Sequence, residues 1–591
     1  MTVAAFEDPV MSRGSGVHRF GVNGNGRRAV RSARSAGGPV TARGLSPRRA
    51  RGRRARAAAG VALLAVVTIA ATTISGSTAA AGADAGASAG VVHTRSGAVR
   101  GLAAGGVERF LGLPYAAPPV GALRWRSPQP APTWSGTRDA TRSGPPCAQG
   151  AALSEASEDC LYLDVTVPRQ APAPAPRPVM VWLHGGGFTQ GAGGDYDPTR
   201  MASQGGAIVV TVDFRLGIFG FFGHPGLPGS GTFALQDQQA ALRWVRDNIS
   251  AFGGDPHNVT LFGQSGGSVA TCAQLTSPPA AGLFQRVIME SGTCALDWPA
   301  NSAALGDPAG SFFKPVAAIQ QAGDSAAAAV DCQRDTDAAE LACLRSLPTH
   351  ALDDQFANFG VAATGTPVLP VDPETALRSG AFHRVPVLSG HTRDEHRLIA
   401  GILAAAGWWI APDEYPALIE QSFGADAPAV LARYPLSRYD NDGALAWSAV
   451  FTDRMWSCTQ IETENALARY VPTYTYEFAD EHAQPFGDLP PDFPAGASHA
   501  SEVPYLFDVA GRPPITGDGY TDQQRGLAAS MIGYWTTFAR TGNPSGRGAA
   551  WPATRPAHAE QPARRLAPGP GGVAPVDGYA EHQCAFWQTM L

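Results

Sequence analysis

Ser265 stands in Gly263-Gln264-Ser265-Gly266-Gly267, directly after the apolar residues 259–262. A serine hydroxyl is a poor nucleophile at neutral pH and needs a base within hydrogen-bond reach, with a carboxylate to orient that base. Glycines on both sides of a serine at a strand end allow a sharp strand-to-helix turn, which lifts the hydroxyl clear of the sheet. With 69 glycines among 591 residues, chance alone could produce this run. Other groups must therefore support it. Gly185, Gly186 and Gly187 follow the apolar residues 179–183 and His184. Backbone N–H groups at such a strand end can receive the negative charge that develops on a carbonyl oxygen during acyl transfer. His184 itself reads as structural. An acid near Glu395 and a histidine near His499 complete the chain order nucleophile, acid, base. Composition alone does not choose Glu395 over Asp394, or His499 over His391, His396 or His482.

These groups must be positioned by the elements around them. Residues 179–183 and 207–214 are continuous apolar runs of the kind buried on both faces of a parallel sheet. Residues 233–249 place Leu235, Ala241, Leu242, Val245 and Ile249 at helical spacing and end near Gly253 and Gly254. A strand over 259–262, a helix from Gly266 to about Leu275 and a strand over 286–292 follow. The alternation predicts an α/β chain with a mostly parallel sheet. Ahead of it, residues 91–136 read as an antiparallel hairpin region. Residues 300–380 and a second section to about Tyr470 carry helical pieces expected to form inserted caps. The sheet resumes at 385–390, a late strand is expected at 474–478, and His499 falls in a loop.

Residues 1–56 carry thirteen arginines against Glu7 and Asp8, and residues 57–74 form an apolar run behind them. A basic flank, an apolar stretch and Ala83-Asp84-Ala85 read as a secretory signal, with cleavage after Ala81 or Ala85. A twin-arginine export signal and a membrane anchor over 57–74 are the alternatives. Without residues 1–85 the formal net charge moves from −5 to −15. An acidic exported protein is not expected to bind nucleic acid or an anionic membrane surface. Eight cysteines behind an export signal suit disulfides, and none shows the spacing of a zinc site.

Five motifs recur in a fixed order: residues 110–116 (FLGLPYA), 157–163 (SEDCLYL), 184–188 (HGGGF), 252–256 (FGGDP) and 262–268 (FGQSGGS). On these the chain resembles the type-B carboxylesterases, which include cholinesterases and bacterial p-nitrobenzyl esterases, from about Val91 to Leu591. The resemblance implies an α/β-hydrolase fold over residues 86–591, with a large central sheet flanked by helices and helical caps. It implies a secreted serine hydrolase for small-molecule carboxylic esters, with no cofactor and no metal, and no stable membrane anchor once the signal is cleaved. Ser265 would be the nucleophile, His499 the base and Glu395 the orienting acid. The N–H groups of Gly186, Gly187 and Gly266 would hold the oxyanion, and Ser291 would hydrogen-bond the acid. The family's disulfides would fall on Cys147–Cys160, Cys332–Cys343 and Cys458–Cys584. Cys272 and Cys294 are left over and read as buried small hydrophobes, with a fourth bridge as the alternative. Departures from the family are also visible. Gln264 stands where a glutamate is usual, and Asp213 and His396 replace the more common asparagine and glycine. The Cys147–Cys160 loop contains no tryptophan, so cation–π capture of a quaternary ammonium is unsupported. A catalytically silent adhesion member of the fold, a lipase and a carbamate or amide hydrolase are the competing readings.

Overall fold

The apolar runs pair edge to edge, because a buried backbone must spend its N–H and C=O groups on neighbouring strands. The computed structural model describes residues 87–590, apart from 151–154, 170–175, 304, 511–514, 547–549 and 556–562. The expectations for the leader, its cleavage and the 57–74 run lie outside the described residues. A thirteen-stranded sheet forms the frame. Its strands are β1 (Ala87–His93), β2 (Ala98–Ala104), β3 (Val107–Pro114), β4 (Thr137–Asp139), β5 (Tyr162–Pro168), β6 (Arg177–Leu183) and β7 (Ile208–Val212). They continue as β8 (Gly254–Gln264), β9 (Arg286–Glu290), β10 (Val387–Thr392), β11 (Thr473–Phe478), β12 (Ala563–Leu566) and β13 (Ala574–Val576). Across the sheet the order is 1-2-3-5-7-6-8-9-10-11-12-13, with β4 pairing β2. The pairs β1–β2, β2–β3, β3–β5 and β5–β7 are antiparallel. From β7 to β12 every neighbouring pair is parallel.

Side chains alternate across this parallel block, and each face has its own core. On one face Val179, Val181 and Leu183 of β6 join Leu261 of β8 and Val287 of β9. On the other, Met180, Trp182, Phe262, Ile288 and Leu388 pack together. The helices of nine residues or more are α1 (Phe233–Asn248), α2 (Gly266–Thr276), α3 (Val316–Ala329), α4 (Asp337–Ser346) and α5 (Arg397–Ala405). The rest are α6 (Tyr415–Phe423), α7 (Gly443–Phe451), α8 (Cys458–Ala468) and α9 (Asp522–Thr541). Leu235 and Leu242 of α1 and Val269 of α2 cover the first face, while Met531, Trp535 and Phe538 of α9 cover the second. A π-helical turn, Thr452–Ser457, joins α7 to α8.

Register brings the strand ends together. Leu183 pairs with Gly263, and Glu290 pairs with both Gln264 and Gly390. The carboxyl ends of β6, β8, β9 and β10 therefore share one edge, where parallel sheets place their ligands. The three bridges implied by the resemblance are present: Cys147–Cys160, Cys332–Cys343 and Cys458–Cys584. The reading of Cys272 and Cys294 as unpaired hydrophobes is corrected, because they form a fourth bridge with their Cα atoms 5.6 Å apart. The crossover that makes β8 and β9 parallel lays α2 beside the segment after β9, so two cysteines 22 residues apart become neighbours. No helix among the described residues is long and apolar enough to cross a membrane.

Candidate active site

The turn at Ser265 is as sharp as its flanking glycines suggest. β8 ends at Gln264 and α2 begins at Gly266, leaving Ser265 alone at φ 55° and ψ −124°. A non-glycine residue holds such a conformation only where its surroundings impose it. Here the Ser265 N–H donates to the Glu290 carbonyl at 2.9 Å, and its own carbonyl accepts from Val269 N–H at 2.9 Å, closing the first turn of α2. Two close approaches demand glycine. A Cβ on Gly267 would lie 2.0 Å from the Leu183 carbonyl oxygen, and one on Gly266 would lie 2.9 Å from the Gly187 nitrogen. The backbones of the elbow and of the triple-glycine loop are thus in contact. That loop is tightened by Thr189 and Gln190, whose N–H groups donate to Gly186 O at 3.0 and 3.1 Å.

Among the candidate acids and bases, Glu395 and His499 come together. His499 Nδ1 lies 2.5 Å from Glu395 Oε2, and His499 N–H donates to Glu395 O at 3.1 Å. Glu395 is fully buried, and Thr392 N–H donates to its Oε1 at 2.8 Å. Burial alone would raise its pKa. The opposing pull of His499, Thr392 and Ser291 holds it below the usual glutamate range. Asp394 serves the scaffold instead: its carboxylate accepts from Ala497 N–H at 3.0 Å and pairs with Arg393 and Arg397. The other histidines are engaged by other partners. His184 stacks on Phe214, and burial lowers its pKa to about 4. His482 enters through its backbone N–H, which donates to Asp480. His396 donates from Nε2 to Ser302 O at 2.8 Å and accepts from Trp456 Nε1 at 3.1 Å, an arrangement that suits a neutral ring. Burial lowers its pKa to about 3.

Three neighbours carried no signal in composition. Trp456, on the π-helical turn, sets its ring 4.5 Å from that of His499. Gln264 Nε2 lies 3.2 Å from His499 Nε2. Glu502 is fully buried, and its pKa is driven well up by burial and then by the neighbouring acids Glu395 and Glu290. The Ser291 hydroxyl lies between two acids: it donates to Glu502 Oε1 at 3.3 Å, and its hydrogen bonding is also among the influences that lower the pKa of Glu395. The pairing with His499 was visible only through chain order and resemblance, since 104 residues separate the two side chains.

Among the described residues, one buried group has the residue types of a metal site. His391, Glu477 and His582 bring their ligand atoms within 4.8 Å of one another. Both nitrogens of His582 are already engaged, however, with Asp453 at 2.7 Å and Glu477 at 3.0 Å. Burial works against charge on this ring, but the two carboxylates hold it protonated well above the usual histidine range. The group is a buried imidazolium clasped between two acids.

The sequence profile of the Carboxylesterase family matches residues 88–587. Para-nitrobenzyl esterase of Bacillus subtilis (strain 168) is 35% identical over 490 residues, covering 78% of this chain and 92% of that protein. Fumonisin B1 esterase of Sphingopyxis macrogoltabida is 34% identical over 488 residues, covering 78% and 84%. Human neuroligin-2 is 31% identical over 526 residues, covering 77% of this chain and 61% of that protein. A parallel sheet whose strand ends converge on a serine elbow is the frame expected of the α/β-hydrolase fold, and with a match over almost all of the described length the chain belongs to the carboxylesterase family, as a hydrolase of carboxylic esters.

Proposed function

We propose that the chain hydrolyses esters through an acyl-enzyme on Ser265, with His499 as general base and Glu395 as the acid that orients it. The observation that carries this reading is the 2.5 Å contact between His499 Nδ1 and a buried, ionised Glu395. A carboxylate at Nδ1 fixes the tautomer whose Nε2 can take the serine proton. Ser265 Oγ attacks the ester carbonyl as its proton passes to Nε2. The resulting oxyanion sits against the N–H groups of Gly186, Gly187 and Gly266. The C–O bond to the alcohol then breaks as Nε2 returns the proton to the leaving oxygen. Water repeats the sequence on the acyl-enzyme and releases the acid. Four disulfides support export to an oxidising compartment.

Replacing Ser265 by alanine abolishes turnover of a p-nitrophenyl ester on this reading, and hydrolysis by that variant at the wild-type rate overturns it. The similarity to neuroligin-2 favours one other reading, a non-catalytic binding member of the fold. The chain keeps serine, acid and histidine, which supports the enzyme. Covalent labelling by a fluorophosphonate separates the two, since only an activated serine reacts.

A further inference from the structure

We infer that Gln264 is a positioning residue for His499, a two-way amide that holds the imidazole ready as a base and then accepts its proton-bearing edge. The inference rests on the proposed roles of Ser265 and His499. Gln264 is the last residue of β8, 3% exposed, and its backbone is pinned by pairing with Glu290. Its Nε2 faces His499 Nε2 at 3.2 Å, and among the described residues no other hydrogen bond reaches that nitrogen. The Nδ1 edge faces the Glu395 carboxylate and so carries a hydrogen. An amide N–H directed at Nε2 therefore donates to a bare lone pair, the one that must receive the serine proton. On the other side of the amide, a Cβ on Gly185 would lie 2.9 Å from Gln264 Oε1, so the same side chain wedges against the start of the triple-glycine loop.

Two consequences follow from amide chemistry. Ser265 Oγ and Gln264 Nε2 compete for one lone pair, so the resting base is satisfied without its nucleophile and Gln264 yields when a substrate docks. Once Nε2 has gained the proton, rotation about the terminal torsion presents Oε1 as an acceptor. That torsion is broad and two-fold, which makes the exchange easy. A carboxylate at position 264 could only accept, and would favour the protonated ring over the bare one. The other titratable groups facing the imidazole are Glu395 and His396 from the turn after β10, and behind Glu395 stand Glu502 and Glu290.

The test compares wild type with Gln264→Met and Gln264→Glu on a p-nitrophenyl ester, from about pH 5 to about pH 9. Active sites are counted by fluorophosphonate titration and folding is checked by melting temperature. Gln264→Met, of similar length without the amide, is expected to lose about tenfold or more in kcat per titrated site, with KM within about twofold. Gln264→Glu is expected to move the acidic limb of kcat/KM upward by about one pH unit while keeping activity on the alkaline side. A Met variant with wild-type kcat, or a Glu variant with an unmoved acidic limb, overturns the inference. Either result beside an inactive Ser265→Ala protein leaves the acyl-enzyme reading standing, whereas an active Ser265→Ala protein removes both.

Discussion

Glu290 ends β9 one residue before Ser291, and Trp535 Nε1 of α9 donates to its Oε1 at 2.8 Å. Its second oxygen has no hydrogen-bond partner among the described residues, and burial raises the carboxyl pKa from 4.5 to about 8. The folded protein therefore holds this acid neutral. A raised acid contributes stability that is complete below the unfolded pKa and is lost as pH rises through the folded one, here from 4.5 to about 8. Glu290→Gln keeps the acceptor for Trp535 and has no proton to lose. Its advantage in urea denaturation is expected to be small near the lower limit and to widen with pH, by about tenfold in the unfolding equilibrium per unit crossed. Stability curves for the two proteins that ran parallel across the interval would contradict this. At this scale the sequence was informative where several motifs agreed, since Ser265 between glycines carried weight only beside the triple-glycine run and the later acid and histidine. It was silent on Glu290, Glu502 and Trp456, whose roles come from what burial places beside them.

Elements were legible to the extent that their periodicity is local. The helices after β7 and β8 and the continuous apolar strands follow from spacing and from runs buried on both faces. The long helix α9 was equally open to reading, since Thr521 and Gln524 form a capping box ahead of Leu527, Met531 and Trp535 on one face. The π-helical turn was not, because its sequence differs from an ordinary helix only in where the hydrogen bonds fall. Nor was the Cys272–Cys294 bridge, which depends on the β8–β9 crossover. That bridge closes a short loop between α2 and the segment after β9. Replacing both cysteines by alanine is expected to lower stability by about 3 kcal/mol in urea denaturation. Specific activity per titrated serine should stay close to wild type, because the elbow is also pinned by Glu290 O and by α2 itself. A double variant as stable as the parent would show that the bridge constrains nothing the fold does not already fix.

For the molecule as a whole, the five motifs indicated one family and one sheet, and the comparison bears this out over residues 88–587. The sheet's cross-strand order was beyond the sequence, because strand neighbours are chosen by crossovers and by which face each apolar stripe can cover. The clasp around His582 shows how far such long-range choices reach. It joins Asp453 of the π-helical turn and Glu477 of β11 to the segment after β13, with Cys584 bridged to Cys458 and Trp587 donating to Tyr434. In time as well as in space, this makes the segment after β13 a closing piece. Asp453 stands three residues before Trp456, which lies against His499, so the backing of the proposed base depends on the docking of the segment after β13. A chain cut after Val576 would bury Asp453 and Glu477 without their cation, and such orphaned charge is strongly destabilising. The shortened protein is expected to be largely insoluble and unreactive towards fluorophosphonate, and soluble, fully reactive material would refute the point. The segment that carries His582 is thus expected to matter to turnover although it supplies none of Ser265, Glu395 and His499.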